Sequence, residues 1–377
     1  MSCRLVIVSA ATTHCSEKSR VRGWWWKKTE DPVDSNTRDQ WRTTLSRSRF
    51  GWFFALVCLA CPLDAVAGYS SLYIFGDSLS DSGNNAVVLA PNVTPIPISG
   101  NSFIPTYPYA SGRYTNDQVW AQTLASSLGL NANPSLLGGT DYAFGGAQTG
   151  PLTPNALPGG LLNPFPPSIE TQAAFFLAQH GNAAPSDALY VIAGGGEDAL
   201  HALTAITGCG GNLACVDGVL QSTAAAFAGN IGNIVSELQL AGASNIVVWD
   251  VPDLGVAPAV RALGAGALGT MIASSMNAAL LSTIGGDADV KLFDAFGLLD
   301  NVVDNPSAFG LSDVTNACAQ FTTCHPSQYL FWDGIHPTSA ADLIISNAIV
   351  SLVGEVPEPS TLALFASPPW ASLAAAG

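Results

Sequence analysis

Positive charge is almost absent from the chain after its first 67 residues. Residues 68–377 contain three Lys or Arg against 22 Asp or Glu, whereas residues 1–67 contain ten against six. So acidic a body has almost no cations to replace the counterions of a phosphate backbone, which excludes nucleic acid as a partner. The same charge disfavours an anionic membrane surface. Solubility outside the cell is the simplest interpretation.

Metal-binding patterns are also missing. Four of the eight cysteines follow residue 67, and they form two pairs with the same spacing, Cys209 with Cys215 and Cys318 with Cys324. Zinc sites usually show Cys-x-x-Cys or nearby histidines, and only His325 adjoins a cysteine here, so we expect no metal. Of the three connectivities that four cysteines allow, we favour the local one, Cys209–Cys215 and Cys318–Cys324.

The N-terminal segment has the features of a secretory signal. Arg47-Ser48-Arg49 precedes an apolar run at 50–60, and Ala65-Val66-Ala67 offers a small-x-small cleavage site. The apolar run is too short to cross a bilayer as a mature helix. We therefore expect residues 1–67 to be a leader that includes a signal peptide at about 47–67.

Short, almost continuously apolar runs alternate with helix-like segments in the rest of the chain. The runs are 72–75, 188–193, 245–249 and 290–293. Parallel strands covered on both faces have this composition. The alternation predicts an α/β fold, a three-layer α/β/α sandwich with a central parallel sheet, in which ligand sites form at the carboxyl ends of the strands.

The ends of some helices can also be placed. Asn116 is a candidate N-cap for the helix that follows it, residues 219–241 predict a long helix, and Thr338 is a candidate N-cap for the last helix. Two stretches show no periodicity: residues 150–167, with six prolines and three glycines, and residues 295–332. We predict irregular structure in both.

A serine follows the first predicted strand, although no Gly-x-Ser-x-Gly elbow is present there. The sequence reads Gly76-Asp77-Ser78-Leu79, so Ser78 should project from a strand-to-helix connection at the carboxyl edge of the sheet. Alone, such a tripeptide is more often an ordinary turn. A serine is also a poor nucleophile unless a base activates it.

A candidate base lies near the end of the same domain, in Asp333-Gly334-Ile335-His336-Pro337-Thr338. Asp333 and His336 are three residues apart, on a tight turn before a predicted helix. The carboxylate can accept from one ring nitrogen while the other nitrogen faces a serine, which selects the tautomer and stabilises the imidazolium. Ser78, His336 and Asp333 together supply the parts of a nucleophilic triad.

These stretches resemble the GDSL, or SGNH, family of serine esterases and lipases, and the likeness runs from about Tyr69 to Gly354. The matching segments, in the order of the family, are GDSLSDSGN at 76–84, GRYTN at 112–116 with Val119-Trp120, DYAFGGA at 141–147, VPDLG at 251–255 and DGIHPT at 333–338. The resemblance implies one SGNH-hydrolase domain at 68–354 with a flavodoxin-like sheet. It also implies ester cleavage through a seryl acyl-enzyme without a metal or organic cofactor.

The resemblance assigns roles to individual residues. Ser78 would be the nucleophile and would give its own N–H to the oxyanion hole. His336 would act as general base and then acid, and Asp333 would orient it. Gly145 is the expected second oxyanion donor, with Gly146 as the fallback.

One position departs from the family pattern. The family has Gly-x-Asn-Asp in its third block, whose Asn is the third oxyanion donor, whereas this chain has Glu197 there, followed by Asp198. Loss of one such donor costs about 3–4 kcal/mol. Glu197 could be protonated and donate an O–H, or it could turn away and leave two donors. The remaining alternative is a defective catalyst.

The C-terminal residues 355–377 resemble the PEP-CTERM sorting tail of some Gram-negative bacteria, on the basis of Val356-Pro357-Glu358-Pro359-Ser360. That tail normally continues into a spanning apolar helix and a basic cluster. Here Pro368-Pro369 interrupts the apolar run and no Lys or Arg follows, so the tail is degenerate. It implies a secreted, cell-surface or periplasmic protein of a Gram-negative bacterium and a cell-surface sorting machinery as partner, and it leaves anchoring open.

The main hypothesis is therefore a secreted, monomeric serine hydrolase that cleaves carboxylic esters of small molecules, lipids or polysaccharides. Two alternatives stay open. One is a catalytically weakened or non-catalytic surface or matrix-binding protein on the same fold, for which Glu197 and the sorting tail are the reasons. The other is an esterase or transferase acting on the O-acyl groups of a polysaccharide.

Overall fold

A computed structural model of the chain describes residues 68–90, 96–150 and 165–354. The predicted leader and signal peptide at 1–67 and the sorting tail at 355–377 lie outside these residues. So does most of the proline-rich stretch 150–167.

The central sheet has four parallel strands, and all four apolar runs that predicted strands are confirmed. In spatial order the strands are β1 (Leu72–Gly76), β2 (Leu189–Ala193), β3 (Ile246–Trp249) and β4 (Val290–Phe293). Every residue of β1, β2 and β3 is buried, which explains their continuously apolar sequences. A bridge between Ile74 and Asp141 adds a short parallel segment outside β1. With that segment counted, the strand order is the flavodoxin-like one that was predicted.

Nine α-helices are found among the described residues. They are α1 (Asn84–Leu89), α2 (Trp120–Ser127), α3 (Ile169–Gln179), α4 (Gly196–Gly208), α5 (Leu213–Leu240), α6 (Pro258–Ala262), α7 (Gly266–Ile284), α8 (Ala295–Asp304) and α9 (Ser339–Gly354).

The two faces of the sheet carry separate cores, because neighbouring residues of a strand point to opposite sides. From β1, Tyr73 and Phe75 pack on the side of α3, α4, α5 and α7, and Leu72 and Ile74 pack on the side of α2 and α9. The predicted α/β/α sandwich is thus confirmed. By length and composition α7 is the one described helix that could cross a membrane, but it packs against α5 and contributes Met276 to the first core.

Two helix boundaries differ from the prediction. Asn116 does not cap α2, which begins at Trp120. Its side chain instead accepts from the Ser339 N–H at 2.9 Å and donates to the Ser339 hydroxyl at 2.8 Å, so it fixes the start of α9. Helix α5 begins earlier than residue 219, because the Asn212 side chain caps it by accepting from the Cys215 N–H.

The prediction of irregular structure over 295–332 was wrong. This stretch contains α8 and a two-stranded parallel sheet of β5 (Asp313–Ala317) and β6 (Tyr329–Phe331). Asp294 caps α8 by accepting from the Gly297 N–H at 2.6 Å. Strand β5 (Asp-Val-Thr-Asn-Ala) is not an apolar run like those of the central sheet, and β6 has only three residues, so neither could be recognised from the sequence.

Both locally paired disulfides are present, as predicted. Cys209–Cys215 joins the end of α4 to the first turn of α5, and Cys318–Cys324 closes a loop after β5. Their Cα–Cα distances of 5.7 Å and 5.5 Å are ordinary for disulfides.

Candidate active site

Ser78 lies just past the carboxyl end of β1. The strand ends at Gly76, where a Cβ would lie only 2.6 Å from the Ala193 carbonyl oxygen of β2, so the two strands could not approach with a larger residue there. The chain then turns, and the Asp77 carbonyl oxygen accepts from the Ser80 N–H at 3.1 Å. This turn places Ser78 at the sheet edge where ligand sites of such folds form.

His336 bridges Ser78 and Asp333. Its Nε2 lies 2.8 Å from Ser78 Oγ, and its Nδ1 lies 2.8 Å from Asp333 Oδ2. All three side chains are buried. The fold therefore brings together the serine, histidine and aspartate that the two sequence motifs singled out.

The Asp333 carboxylate is surrounded by donors. Its Oδ1 accepts the N–H groups of Ile335 at 2.9 Å and His336 at 2.8 Å. Between Asp333 and Ile335, a Cβ on Gly334 would lie 2.5 Å from the Phe103 carbonyl oxygen, so only glycine lets this turn pack against the loop that carries Phe103. The turn is held from both sides, which fixes the direction of the carboxylate.

Tyr109 adds a contact that sequence reasoning missed. Its hydroxyl donates to Asp333 Oδ2 at 2.8 Å, on the same oxygen that faces the His336 ring. The Tyr109 side chain is buried, and its ring meets Trp332 edge-on. No local pattern marks this tyrosine, because 224 residues separate it from its partner.

The charges around His336 favour its protonated form. Burial alone would lower the pKa of the imidazole, but the charge and hydrogen bond of Asp333, together with Asp77 and Glu197, raise the pKa above its usual value. The imidazolium that forms when His336 takes a proton is thus stabilised by carboxylates.

Gly145, the predicted second oxyanion donor, has its N–H engaged elsewhere. Its N–H donates to Asp81 Oδ2 at 3.0 Å, inside the loop and away from Ser78. The fallback, Gly146, lines the cleft beside Ser78, and its N–H has no acceptor among the described residues. Its φ of +82° is in the left-handed region that favours glycine. Gly146 therefore replaces Gly145 as the candidate donor.

Asp81 organises this loop. Besides Gly145, it accepts the N–H groups of Gly83, Asn84 and Asn85 at 2.8, 2.6 and 3.2 Å. Burial raises the pKa of Asp81 to about 6, and these hydrogen bonds oppose the rise. Asp81 is fully occupied in bracing the chain after the nucleophile, so it has no free lone pair directed at a substrate.

Glu197 lies in the first turn of α4 and lines the cleft together with Ser78 and His336. Its carboxyl group has no hydrogen-bond partner among the described residues, whereas the next residue, Asp198, accepts from both the N–H and the hydroxyl of Thr149. Burial raises the pKa of the Glu197 carboxyl, and the charge of His336 opposes this rise. Glu197 is thus a half-buried acid beside the nucleophile, without a protein hydrogen-bond partner among the described residues.

An α/β/α sandwich that places a serine, a histidine and an aspartate within hydrogen-bonding distance at the sheet's carboxyl edge has the architecture of a serine hydrolase. Sequence comparison gives the particular family. The model of the GDSL-like Lipase/Acylhydrolase family matches residues 72–349, and the chain belongs to that family.

Individual relatives share less than a third of their aligned residues with this chain. Esterase EstA of Pseudomonas aeruginosa is 29% identical over 337 residues, which cover 78% of this chain and 48% of the relative. The GDSL esterase/lipase At5g42170 of Arabidopsis thaliana is 26% identical, over 74% of this chain and 86% of the relative. The chain thus spans about half the length of the bacterial relative. Among solved structures, Est24, a carbohydrate acetylesterase from Sinorhizobium meliloti, is 17% identical with a TM-score of 0.41, over 78% of this chain and 99% of that one.

Proposed function

We propose that this protein is a secreted serine hydrolase that cleaves carboxylic esters through a seryl acyl-enzyme. The observation that carries the proposal is the unbroken series of contacts from Ser78 Oγ through the His336 ring to Asp333, with 2.8 Å at each step. Membership of the GDSL-like lipase/acylhydrolase family supports the same reaction class.

In the first half of the reaction, neutral His336 takes the proton of the Ser78 hydroxyl while Oγ attacks the ester carbonyl carbon. The carbonyl oxygen becomes an oxyanion that faces the N–H groups of Ser78 and Gly146. His336 then gives its proton to the alcohol oxygen as the C–O bond breaks. In the second half, a water molecule takes the place of the alcohol, and the same proton transfers release the acid and restore Ser78.

Glu197 decides how well the oxyanion is stabilised. When ionised, it repels the oxyanion by up to about 4 kcal/mol at 4 Å and an effective dielectric constant near 20. When protonated, it has an O–H to donate. Burial raises its pKa in the direction that favours the protonated form. We therefore assign Glu197 the third donor position, active only while it carries its proton.

The direct test is covalent labelling with a fluorophosphonate, followed by peptide mapping. We expect label on Ser78, and neither label nor turnover of a short acyl ester in Ser78→Ala. Ser80→Ala is the matched control, because this buried hydroxyl in the same loop has no hydrogen-bond partner among the described residues. Equal turnover in Ser78→Ala and wild type would refute the proposal.

A second candidate function is a non-catalytic surface-binding protein on the same fold. The unpartnered Glu197 in the oxyanion position favours it. The labelling experiment separates the two, because a protein with a dead site would leave Ser78 unlabelled.

Secretion is supported by the signal-like segment at 47–67, the acidic body and the two disulfides, since disulfides persist in oxidising compartments. Intact-mass analysis of the exported protein should give a mature chain that starts near Gly68. A protein recovered from the cytosol with its first residues intact would contradict this.

A further inference from the structure

The ring of Tyr114 lies against the ring of His336. Their centroids are 5.2 Å apart, and the planes of the two rings are inclined by 33°. Rings this close and this near to parallel overlap partly at their faces, because two rings side by side in one plane would stand farther apart. Both residues are buried, so the contact is shielded from water. The imidazole is therefore in contact with Asp333 and Ser78 at its edges and with an aromatic ring over its plane.

Two neighbours hold the Tyr114 side chain in place. Its hydroxyl accepts from Asn85 Nδ2 at 2.7 Å, and the same Nδ2 donates to the Gly145 carbonyl oxygen at 3.0 Å. A Cβ on Gly145 would collide with the Tyr114 ring, so only glycine allows this close approach. The contact with Tyr114 therefore explains the need for a glycine whose own N–H is already taken by Asp81.

The electrostatics of this contact favour a charged His336. The face of an aromatic ring is negative and attracts a cation that lies within about 6 Å of its centroid. His336 becomes such a cation when it takes a proton. The carboxylates of Asp333, Asp77 and Glu197 face the same imidazole and favour the cation as well. Burial raises the pKa of the Tyr114 hydroxyl, so Tyr114 stays neutral while His336 titrates. Tyr114 therefore adds a neutral contribution to that of the three acids.

We propose that Tyr114 is a positioning residue for His336: its ring keeps the imidazole in line with the other two triad residues and stabilises the imidazolium that forms during the reaction. This rests on the proposed function, because His336 has to act as the base. Asp333 and Ser78 hold the imidazole at its two nitrogens, and a contact over its plane opposes tilting of the ring. Because Tyr114 also contacts Gly145, it links the base to the loop that carries the candidate oxyanion donor.

The test compares Tyr114→Leu, which removes the ring, with Tyr114→Phe, which keeps the ring and gives up only the hydrogen bond from Asn85. NMR of the full chain with ¹⁵N-labelled histidine follows the pKa of His336 directly, and the chain has only five histidines. In Tyr114→Leu we expect this pKa to fall by about 0.5–1.5 pH units, because an attraction that favours the cation is lost. In Tyr114→Phe it should stay close to the wild-type value.

Turnover of a short ester gives a second readout. A weaker base takes the proton of Ser78 less readily, so kcat should fall by roughly 3–30-fold in Tyr114→Leu, and the acidic limb of the pH profile should move to lower pH. Tyr69→Leu is the matched control, because Tyr69 is a half-buried tyrosine before β1, at the amino edge of the sheet and opposite the triad. It should leave the pKa of His336 and the acidic limb in place.

An unmoved pKa of His336 in Tyr114→Leu would overturn the proposal even if the rate falls, because a purely structural role could lower the rate alone. So would an equal loss in Tyr114→Phe, which would assign the effect to the hydroxyl. If Tyr114→Leu does not fold, Tyr114→Met fills more of the space without an aromatic face and carries the same prediction. The titration needs no substrate. If Ser78 takes no label and no ester is turned over while the pKa still shifts, the proposed function fails and the role of Tyr114 in the reaction fails with it, although the ring contact stands.

Discussion

The site has two parts that are built differently: the base side, formed by His336, Asp333 and the partners of Asp333, and the oxyanion side, formed by Gly146 and Glu197. On the base side, the Asp333 carboxylate is fully buried and accepts from the Tyr109 hydroxyl and two backbone N–H groups as well as facing the His336 ring. On the oxyanion side, Glu197 is only half-buried, and its carboxyl group has no hydrogen-bond partner among the described residues. Orientation of the base is therefore fixed by the fold, whereas stabilisation of the oxyanion, as we propose it, depends on whether Glu197 holds a proton.

This difference separates what the site does from how fast it works. A hydrogen-bonded triad defines the reaction class, because the same groups are needed whatever the rate. The oxyanion hole is usually the largest single contribution to the rate. Changes on the base side should therefore cost activity, while one change on the oxyanion side should increase it.

The largest effect is expected from Asp333→Asn. An amide at this position favours the wrong tautomer of His336 and removes the charge that stabilises the imidazolium, so kcat on a short ester should fall by roughly 10⁴-fold. Asp217→Asn, at an exposed position on α5, is the matched control and should change nothing. A fall of less than tenfold in Asp333→Asn would show that this carboxylate does not orient the base.

The next effect has the opposite sign. Glu197→Asn restores a neutral donor beside the oxyanion, and at alkaline pH we expect kcat/KM to rise by about 10²–10³-fold. The matched change one residue later, Asp198→Asn, alters a carboxyl that is bound to Thr149 and should bring no gain. If Glu197→Asn leaves the rate unaltered, the oxyanion side is already complete without this residue.

The pH profile sharpens the same comparison. His336 acts as base only when neutral, so activity rises as the pH increases through its raised pKa. Glu197 donates only when protonated, so activity falls as the pH increases through its own raised pKa. The wild type should give a bell-shaped profile of kcat/KM. Glu197→Asn should lose the alkaline limb and move the acidic limb to lower pH, because the charge of Glu197 helps to raise the pKa of His336. An alkaline limb that survives the substitution would assign that limb to another group.

The sequence located the base side almost completely because its parts are local. Asp333 and His336 lie on one turn, and Ser78 follows an apolar run long enough to identify a buried strand. Tyr109 was not predicted as a site residue, because its role depends only on a tertiary contact. Gly145 and Gly146 could not be told apart, since both are glycines and the difference is which N–H the Asp81 carboxylate takes. Helix α8 was missed although its apolar residues recur at helical spacing and Asp294 caps it, because it opens a long stretch whose later part shows no such pattern.

Tyr109→Phe tests whether the loop that carries Tyr109 helps the turn at 333–336 to orient the Asp333 carboxylate. Hydrogen bonds to charged groups contribute about 1.5–3 kcal/mol, so we expect kcat to fall by roughly tenfold. Without the hydroxyl, more of the Asp333 charge acts on His336, so the pKa of His336 should rise and the acidic limb should move to higher pH. Tyr190→Phe removes another buried hydroxyl that donates at 2.8 Å, to Pro185, and should leave the profile in place. If the rate falls but the acidic limb of the pH profile does not move, Tyr109 contributes only through packing.

The smallest effect on activity is expected from removal of the disulfides, only one of which lies near the base side. They close loops of equal length, so loss of either should lower the free energy of unfolding by a similar amount, about 2–3 kcal/mol. Cys318 belongs to the small core that also holds Tyr109 and Trp332, and Cys324 packs against that core, whereas Cys209 and Cys215 do not contact it. Replacing Cys318 and Cys324 by Ala should therefore lower kcat several-fold at a temperature where the protein stays folded, while replacing Cys209 and Cys215 should change stability alone. Equal activity in the two double variants would mean that the loop before Asp333 keeps its conformation without the Cys318–Cys324 disulfide. The hydrogen bonds of Asp333 would then be sufficient to hold the base side.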